Sequence, residues 1–213
     1  MKSIITKTIA GFCMGGALLA GTASCTDLDE KLYDKLNDTN IDLSNETDLS
    51  LILGASVAQY RYLVEDWFGM FHLLEESSDQ YMVPSRPGVG WGDAYVNLHK
   101  HNWSYSVGQI QNPWDIAYRG IAYANMVIDA APEDAKESIA QAKFFRGLFY
   151  YHLLDMFGNA PLQTTQIVED GYLPEQVGVE ALYNFCVDEF KYVKENIGES
   201  NCIYNRQCIS LPH

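Results

Sequence analysis

Positive charge is scarce in this chain: 14 Lys and Arg stand against 28 Asp and Glu in 213 residues, a formal net charge of −14. Binding a phosphate backbone draws on clustered cations, so nucleic acid is excluded as a partner class. Anionic lipid surfaces are disfavoured on the same ground. Cysteine is also scarce, with 5 in the chain. Cys13 and Cys25 lie in or beside the leader described below, and Cys186, Cys202 and Cys208 have neither zinc-site spacing nor the even number of a disulfide framework. The chain holds no HExxH, no glycine-rich phosphate loop and no GxSxG elbow. Charged residues make up only 20%, while 47% are hydrophobic and 13% aromatic. A chain this apolar can offset the entropy of ordering itself, which excludes a disordered polar polypeptide. Its length suits one domain or two small ones.

The first 24 residues stand apart. Lys2 and Lys7 make a basic start, and Ile9 to Ala20 is a 12-residue run without charge, followed by Gly21-Thr22-Ala23-Ser24-Cys25. A basic region, a short apolar core and small residues make a secretory signal; a membrane span needs about 20 apolar residues. With Cys25 directly after Ala23-Ser24, residues 1–24 look like a bacterial lipoprotein signal, whose removal leaves Cys25 as the acylated N-terminus. The plainer alternative is an ordinary signal with an incidental cysteine. Residues 25–44 are polar and acid-rich and read as a tether.

From Asn45 the pattern becomes helical. Leu49, Ile52, Leu53, Val57, Tyr60 and Leu63/Val64 recur at three and four, and Asn45 with Asp48 marks a start, so a helix is expected over 46–65. A second is expected from Asn112 as cap, with Pro113 at the first position and Asp115 completing the cap, to Pro132. Its seam contains Asn125, which must be hydrogen-bonded if buried and should hold a neighbouring loop or helix backbone. A third runs from Asp134 to Phe157 with Gly158 as its stop. Its half from Phe144 to Leu154 is apolar almost all round, so it is expected among other helices, with Arg146 requiring a carboxylate or carbonyl partner. A fourth, 178–197, aligns Val179, Leu182, Cys186, Phe190, Val193 and Ile197, with Cys186 as a small core residue. The expected fold is mainly α: helix pairs like those of tetratricopeptide arrays, around a loop-rich insertion.

That insertion, residues 66–111, lacks a sustained period and is expected as an ordered loop region with at most a short strand or helical turn. It holds the candidate site residues. Sugars lay C–H faces on aromatic rings and hydrogen-bond to planar polar groups. Trp91 and Tyr95 can supply rings, and Arg86, Asp93 and Asn97 hydrogen bonds, with glycines letting the backbone approach. The alternative is that these aromatics pack the loop onto the helices. Glu75, Glu76 and Asp79 invite a glycosidase reading through paired carboxylates, with solvated acidic surface as the plainer one. His99 and His101, without a third ligand, read as surface histidines rather than a metal site.

Four ordered stretches resemble one family: Ala23-Ser24-Cys25-Thr26-Asp27-Leu28-Asp29; Glu76-Ser77-Ser78-Asp79-Gln80 leading to Trp91; Trp114-Asp115-Ile116-Ala117-Tyr118-Arg119-Gly120-Ile121 with Asn125; and Ala142-Lys143-Phe144-Phe145-Arg146-Gly147 through Tyr150-Tyr151 and Leu153 to Phe157-Gly158-Asn159-Ala160-Pro161-Leu162. The last is similar to the A-x-F-x-R-A…Y…L…FG-x-x-P signature of the SusD/RagB outer-membrane lipoproteins. The resemblance implies a non-catalytic, glycan-capturing surface protein of tetratricopeptide-like helix pairs, partnered by a TonB-dependent transporter; the residues themselves give no expectation of a cofactor or a metal site. It also implies that Asp27, Asp29 and Glu30 after the lipidated Cys25 act as a surface-export signal. Gly147 stands where the family more usually has Ala. Family chains are much longer, and beyond Ser200 the run Asn201 to Cys208 loses helical period. Residues 45–200 therefore read as the N-terminal part of such a protein, and 201–213 as an aberrant tail from a frameshift or early stop. The expected function is capture of oligosaccharide and its delivery to the transporter. The rivals are a helical scaffold that binds only protein and a glycoside hydrolase using the acidic trio.

Overall fold

A computed structural model describes residues 45–84, 92–169 and 171–197. The leader, the whole tether 25–44 with Cys25, Asp27, Asp29 and Glu30, and the tail 201–213 lie outside them. Six helices form the described architecture: α1 (Glu46–Glu65), α2 (Met70–Glu76), α3 (Gly92–His99), α4 (Gly108–Ala130), α5 (Lys136–Phe157) and α6 (Val179–Asn196). Strands β1 (Ala160–Pro161) and β2 (Gln176–Val177) pair antiparallel between α5 and α6, with Ala160 opposite Val177. The mainly helical expectation holds.

Local chemistry sets the ends. The Asn45 side chain accepts the Thr47 N–H at 2.9 Å and caps α1. Gly158, at a positive φ of 74° that a glycine adopts freely, ends α5 and returns its N–H to the Leu154 carbonyl. The second long helix departs from expectation. It begins at Gly108, so Pro113 lies inside it and Asn112 is no cap. Asn112 Nδ2 instead donates to Asp66 Oδ2 at 3.1 Å and to the Phe68 carbonyl at 3.4 Å, tying α4 to the end of α1. Val107 accepts the N–H groups of Ile110 and Gln111, so the helix starts ahead of the proline, whose ring nitrogen has no N–H to give to the carbonyl one turn earlier.

The long helices pack in sequence, α1 on α4, α4 on α5 and α5 on α6. The core between them is Leu63, Ile116, Ile121, Phe149, Tyr150, Leu153 and Leu182, with Cys186 at its α6 edge. Burial pushes the Cys186 thiol up to about 11. The rings meet edge to face: Trp114 with Phe157 at 5.1 Å and Tyr150 with Phe185 at 5.2 Å. Where α4 meets α5, Gly120 has no side chain and the Phe149 ring lies against its backbone; a Cβ there would fall inside the ring. Ser56 of α1, fully buried, donates its hydroxyl to the Gly120 carbonyl at 3.0 Å. Three helices thus converge on one backbone position. Gly147, the departure from the family pattern, faces Phe190, and a Cβ there would sit 3.1 Å from that ring.

Gly120→Ala gains helix propensity of about 1 kcal/mol but drives a methyl into Phe149. Overpacking of that kind costs about 1–3 kcal/mol, so the variant should be less stable in urea titration. An increase in stability would show that the two helices can part freely.

Candidate functional site

The described residues of the 66–107 stretch are more helical than the sequence suggests. α2 and α3 are too short, at 7 and 8 residues, to display a period, and they pack on each other. Among the expected site residues, Arg86 and Trp91 lie outside the described residues, and Asp93 falls in α3. Asn97 is half-buried on α3, its carbonyl accepting the Asn102 N–H at 2.8 Å. Tyr95 corrects the expectation. Its ring is 4% exposed and its hydroxyl donates to the Trp67 carbonyl at 2.7 Å, so it braces α3 against the α1–α2 turn and offers no face to a ligand. Burial raises its phenol above the usual range.

The acidic trio is likewise not a solvated patch. Asp79 is exposed and Glu75 half-buried, but Glu76 is fully buried. Glu76 Oε2 accepts the Val83 N–H at 3.2 Å, and Oε1 lies 3.5 Å from His72 Nδ1. That carboxylate fixes the strap 77–83 over α2. His99 ends α3 rather than lying in a loop, and exposed His101 donates from Nε2 to the Ser77 carbonyl at 2.9 Å. Among the described residues no group of three or more His, Cys, Asp or Glu could hold a metal ion.

Among the described residues of this stretch the rings open to solvent are others: Trp67 and Phe68 in the α1–α2 turn, Phe71 on α2, Tyr81 on the strap, and Trp103 and Tyr105 in the loop before α4; Tyr62, Tyr151, Tyr172 and Tyr183 are exposed elsewhere. The sequence reading did not choose these rings as candidates, although they stand as aromatics outside any sustained helical period and beside polar residues.

A second polar centre joins α4, α5, α6 and the turn after α5. Arg146 on α5 is 3% exposed. Its Nε and Nη2 make a bidentate pair with Glu189 of α6 at 2.7 and 2.9 Å. Nη1 donates to Asn125 Oδ1 of α4 at 2.7 Å and to the Thr164 carbonyl at 2.9 Å. Asn125 Nδ2 donates to the Gln163 carbonyl at 3.1 Å, as expected of a buried Asn on that seam. Tyr150 donates to the same carbonyl at 2.9 Å and accepts the Gln163 N–H at 2.8 Å, while Tyr118 donates to the Pro161 carbonyl at 2.7 Å. Asp129 takes the Thr165 hydroxyl at 2.8 Å and the Gln166 N–H at 2.6 Å. Lys143 adds a bond from the more open side, 2.9 Å to Glu189 Oε1. The signature residues around Arg146 therefore fix the turn after α5 to three helices and do not face a ligand.

The comparisons with known proteins agree with this fold. Residues 28–185 match the family model SusD-like_3, described as starch-binding and associating with the outer membrane. A SusD-like protein of Formosa agariphila, P25, is 35% identical over 66 residues, which is 28% of this chain and 12% of that protein. A SusD-like structure from Bacteroides fragilis superposes with a TM-score of 0.60 at 17% identity, covering 78% of this chain and 33% of its own. A SusD superfamily protein from Bacteroides thetaiotaomicron gives 0.58 at 16% identity, covering 73% and 36%. A structure solved with xylogluco-oligosaccharide gives 0.54 at 19% identity, covering 68% and 30%. The chain thus spans about a third of the length of the solved structures it matches.

Two outcomes test this centre. Arg146→Ala strands a buried carboxylate and should cost about 3–5 kcal/mol, whereas Lys143→Ala should cost about 1 kcal/mol or less; equal losses in denaturant titration would contradict the ranking. Burial also raises the Tyr118 and Tyr150 phenols, Tyr150 to about 12. A proton held above its unfolded-state pKa of about 10 stabilises the fold below that pH. The stability is lost as pH rises from 10 toward 12, which an alkaline titration read at the tyrosinate absorbance should show as a late-ionising group of tyrosines that includes Tyr118 and Tyr150.

Proposed function

This chain belongs to the SusD-like family of outer-membrane-associated proteins, and we propose that it is a cell-surface lipoprotein that captures oligosaccharide and passes it, chemically unchanged, to a TonB-dependent transporter. The observation that carries the reading is the display of exposed rings by a loop-rich region on a braced helical scaffold. Ring faces take up the apolar face of a sugar, and nearby amides and hydroxyls satisfy its hydroxyl groups. The solved relative in complex with xylogluco-oligosaccharide supports a glycan as the ligand class.

Lipid on Cys25 holds the protein at the outer membrane, residues 1–24 are its export signal, and 25–44 give the folded body reach. Asp27, Asp29 and Glu30 direct it to the outer face. The stretch 86–97 contributes Arg86, Trp91, Asp93 and Asn97 to ligand contact, with Tyr95 as their support. Capture rather than hydrolysis is favoured by Glu76, whose carboxylate is buried and engaged by the Val83 N–H instead of facing a second acid across a cleft.

Metabolic labelling with a radioactive fatty acid, followed by membrane fractionation, tests the anchor. Wild-type protein should carry label and sediment with the outer membrane, and Cys25→Ser should do neither. A labelled, membrane-bound Cys25→Ser protein would sink the lipoprotein assignment.

A further inference from the structure

We infer that Tyr60 and His152 form a proton-sensitive latch between α1 and α5, fastened while the imidazole is neutral and loosened when it takes up a proton. The inference concerns the helical frame and stands apart from any ligand.

Three side chains tie α1 and its end to the neighbouring helices. Ser56 bonds the Gly120 carbonyl of α4, Tyr60 reaches His152 of α5, and Asp66 accepts from Asn112 of α4. Of these three ties, the middle one contains a group that titrates between pH 5 and 8 by its ordinary chemistry. The Tyr60 hydroxyl lies 3.2 Å from His152 Nε2, and the two ring centroids are 5.7 Å apart. Phe145 and Phe149 stand edge-on to Tyr60 at 6.1 and 5.9 Å, so the imidazole is half-buried in an aromatic joint. A neutral imidazole carrying its proton on Nδ1 accepts the hydroxyl at Nε2. Burial raises the Tyr60 phenol, which keeps that hydroxyl a donor. A protonated imidazole has no acceptor left. Its Nε2–H meets the phenol proton, the hydroxyl must turn away, and a cation is left beside apolar rings.

The charges around the joint do little for that cation. On α1, Arg61 and Glu65 pair with each other at 3.3 Å, both exposed. On α5, Tyr151 neighbours the ring at 5.2 Å, and Asp155 lies one turn on, open to solvent. Where α5 meets α6 and α4, Lys143 and Arg146 are engaged by Glu189 and Arg146 also by Asn125. Burial accordingly holds the His152 imidazole below its ordinary value of 6.5, with Asp155 opposing in part. Lifting α1 returns the ring to water and to that ordinary value. Below about pH 6.5 the parted state therefore binds more protons than the fastened one, so the latch weakens as pH falls and holds fully above it.

Two measurements on the 213-residue chain test the latch. Nuclear magnetic resonance titration of the His152 ring, assigned through bonds to its own backbone, should give a midpoint below 6.5; a midpoint at or above 6.5 overturns the inference. Amide exchange of Gln59 to Val64 on α1, corrected for the intrinsic pH dependence of exchange, should be faster at about pH 5.5 than at about pH 7.5, while Leu182 to Val193 on α6 change little. His152→Gln keeps an acceptor for the Tyr60 hydroxyl but takes no proton, so its α1 exchange should not respond over that range. No response in the wild type, or an equal response in His152→Gln, overturns the latch. Acceleration shared equally by α6 reports general acid unfolding and overturns it too. The first measurement needs no variant, so it decides the matter should His152→Gln fail to fold.

Discussion

A guanidinium cut off from water must be met by acceptors on every side, and Arg146 is met from three directions. Desolvating that charge and the Glu189 carboxylate is expensive, and their bidentate geometry with further hydrogen bonds is what makes the burial tolerable. The consequence is positional. α4 supplies Asn125, α6 supplies Glu189, and the turn after α5 supplies the Thr164 carbonyl, so the helices cannot slide without stranding a charge. Apolar packing alone would leave that register looser, because Leu and Phe surfaces tolerate small shifts that a fixed fork of hydrogen bonds does not.

The rest of the scaffold follows the same logic at smaller scale. Gly120 lets α5 come close enough for Phe149 to touch the backbone of α4, and Ser56 secures α1 to that carbonyl. Asp66 and Asn112 then link the end of α1 to the start of α4, where the short helices and the ring-bearing loops begin. Tyr95, Glu76 and His101 act as internal braces, each bonding a backbone group of a neighbouring segment. Trp103 and Tyr105 stand exposed on the loop that His101 ties to the strap.

Much of this was legible in the residues. The span of α1 and the ends of α5 and α6 follow from helical period, from Asn45 as a cap and from Gly158 as a stop, and the needs of Asn125 and Arg146 follow from burying polar groups on apolar seams. What the sequence hid had physical causes. α2 and α3 are shorter than the window over which a period declares itself. Pro113 imitates a helix start that lies five residues earlier, at Gly108. Glu189 reads as one more surface acid until its partner on another helix is known, and Glu76 likewise belongs to a cluster that looks solvated. The site was the least legible part. Tyr95 and Trp103 are both aromatic residues in a polar stretch, and only the packing of α3 on α2 decides that one turns inward and the other outward.

The central claim is that a charge-locked helical frame carries the exposed rings proposed to take up a glycan. Amide hydrogen exchange with and without a neutral oligosaccharide tests it most directly, since it reads the frame and the site together. The account predicts slow exchange around Gln163 and Thr164 in both states, with new protection on ligand addition confined to the strap 77–84, α3 and the loop 100–107 among the described residues. Fast exchange around Gln163, or ligand protection on the outer face of α6 with none on the strap or that loop, would contradict it.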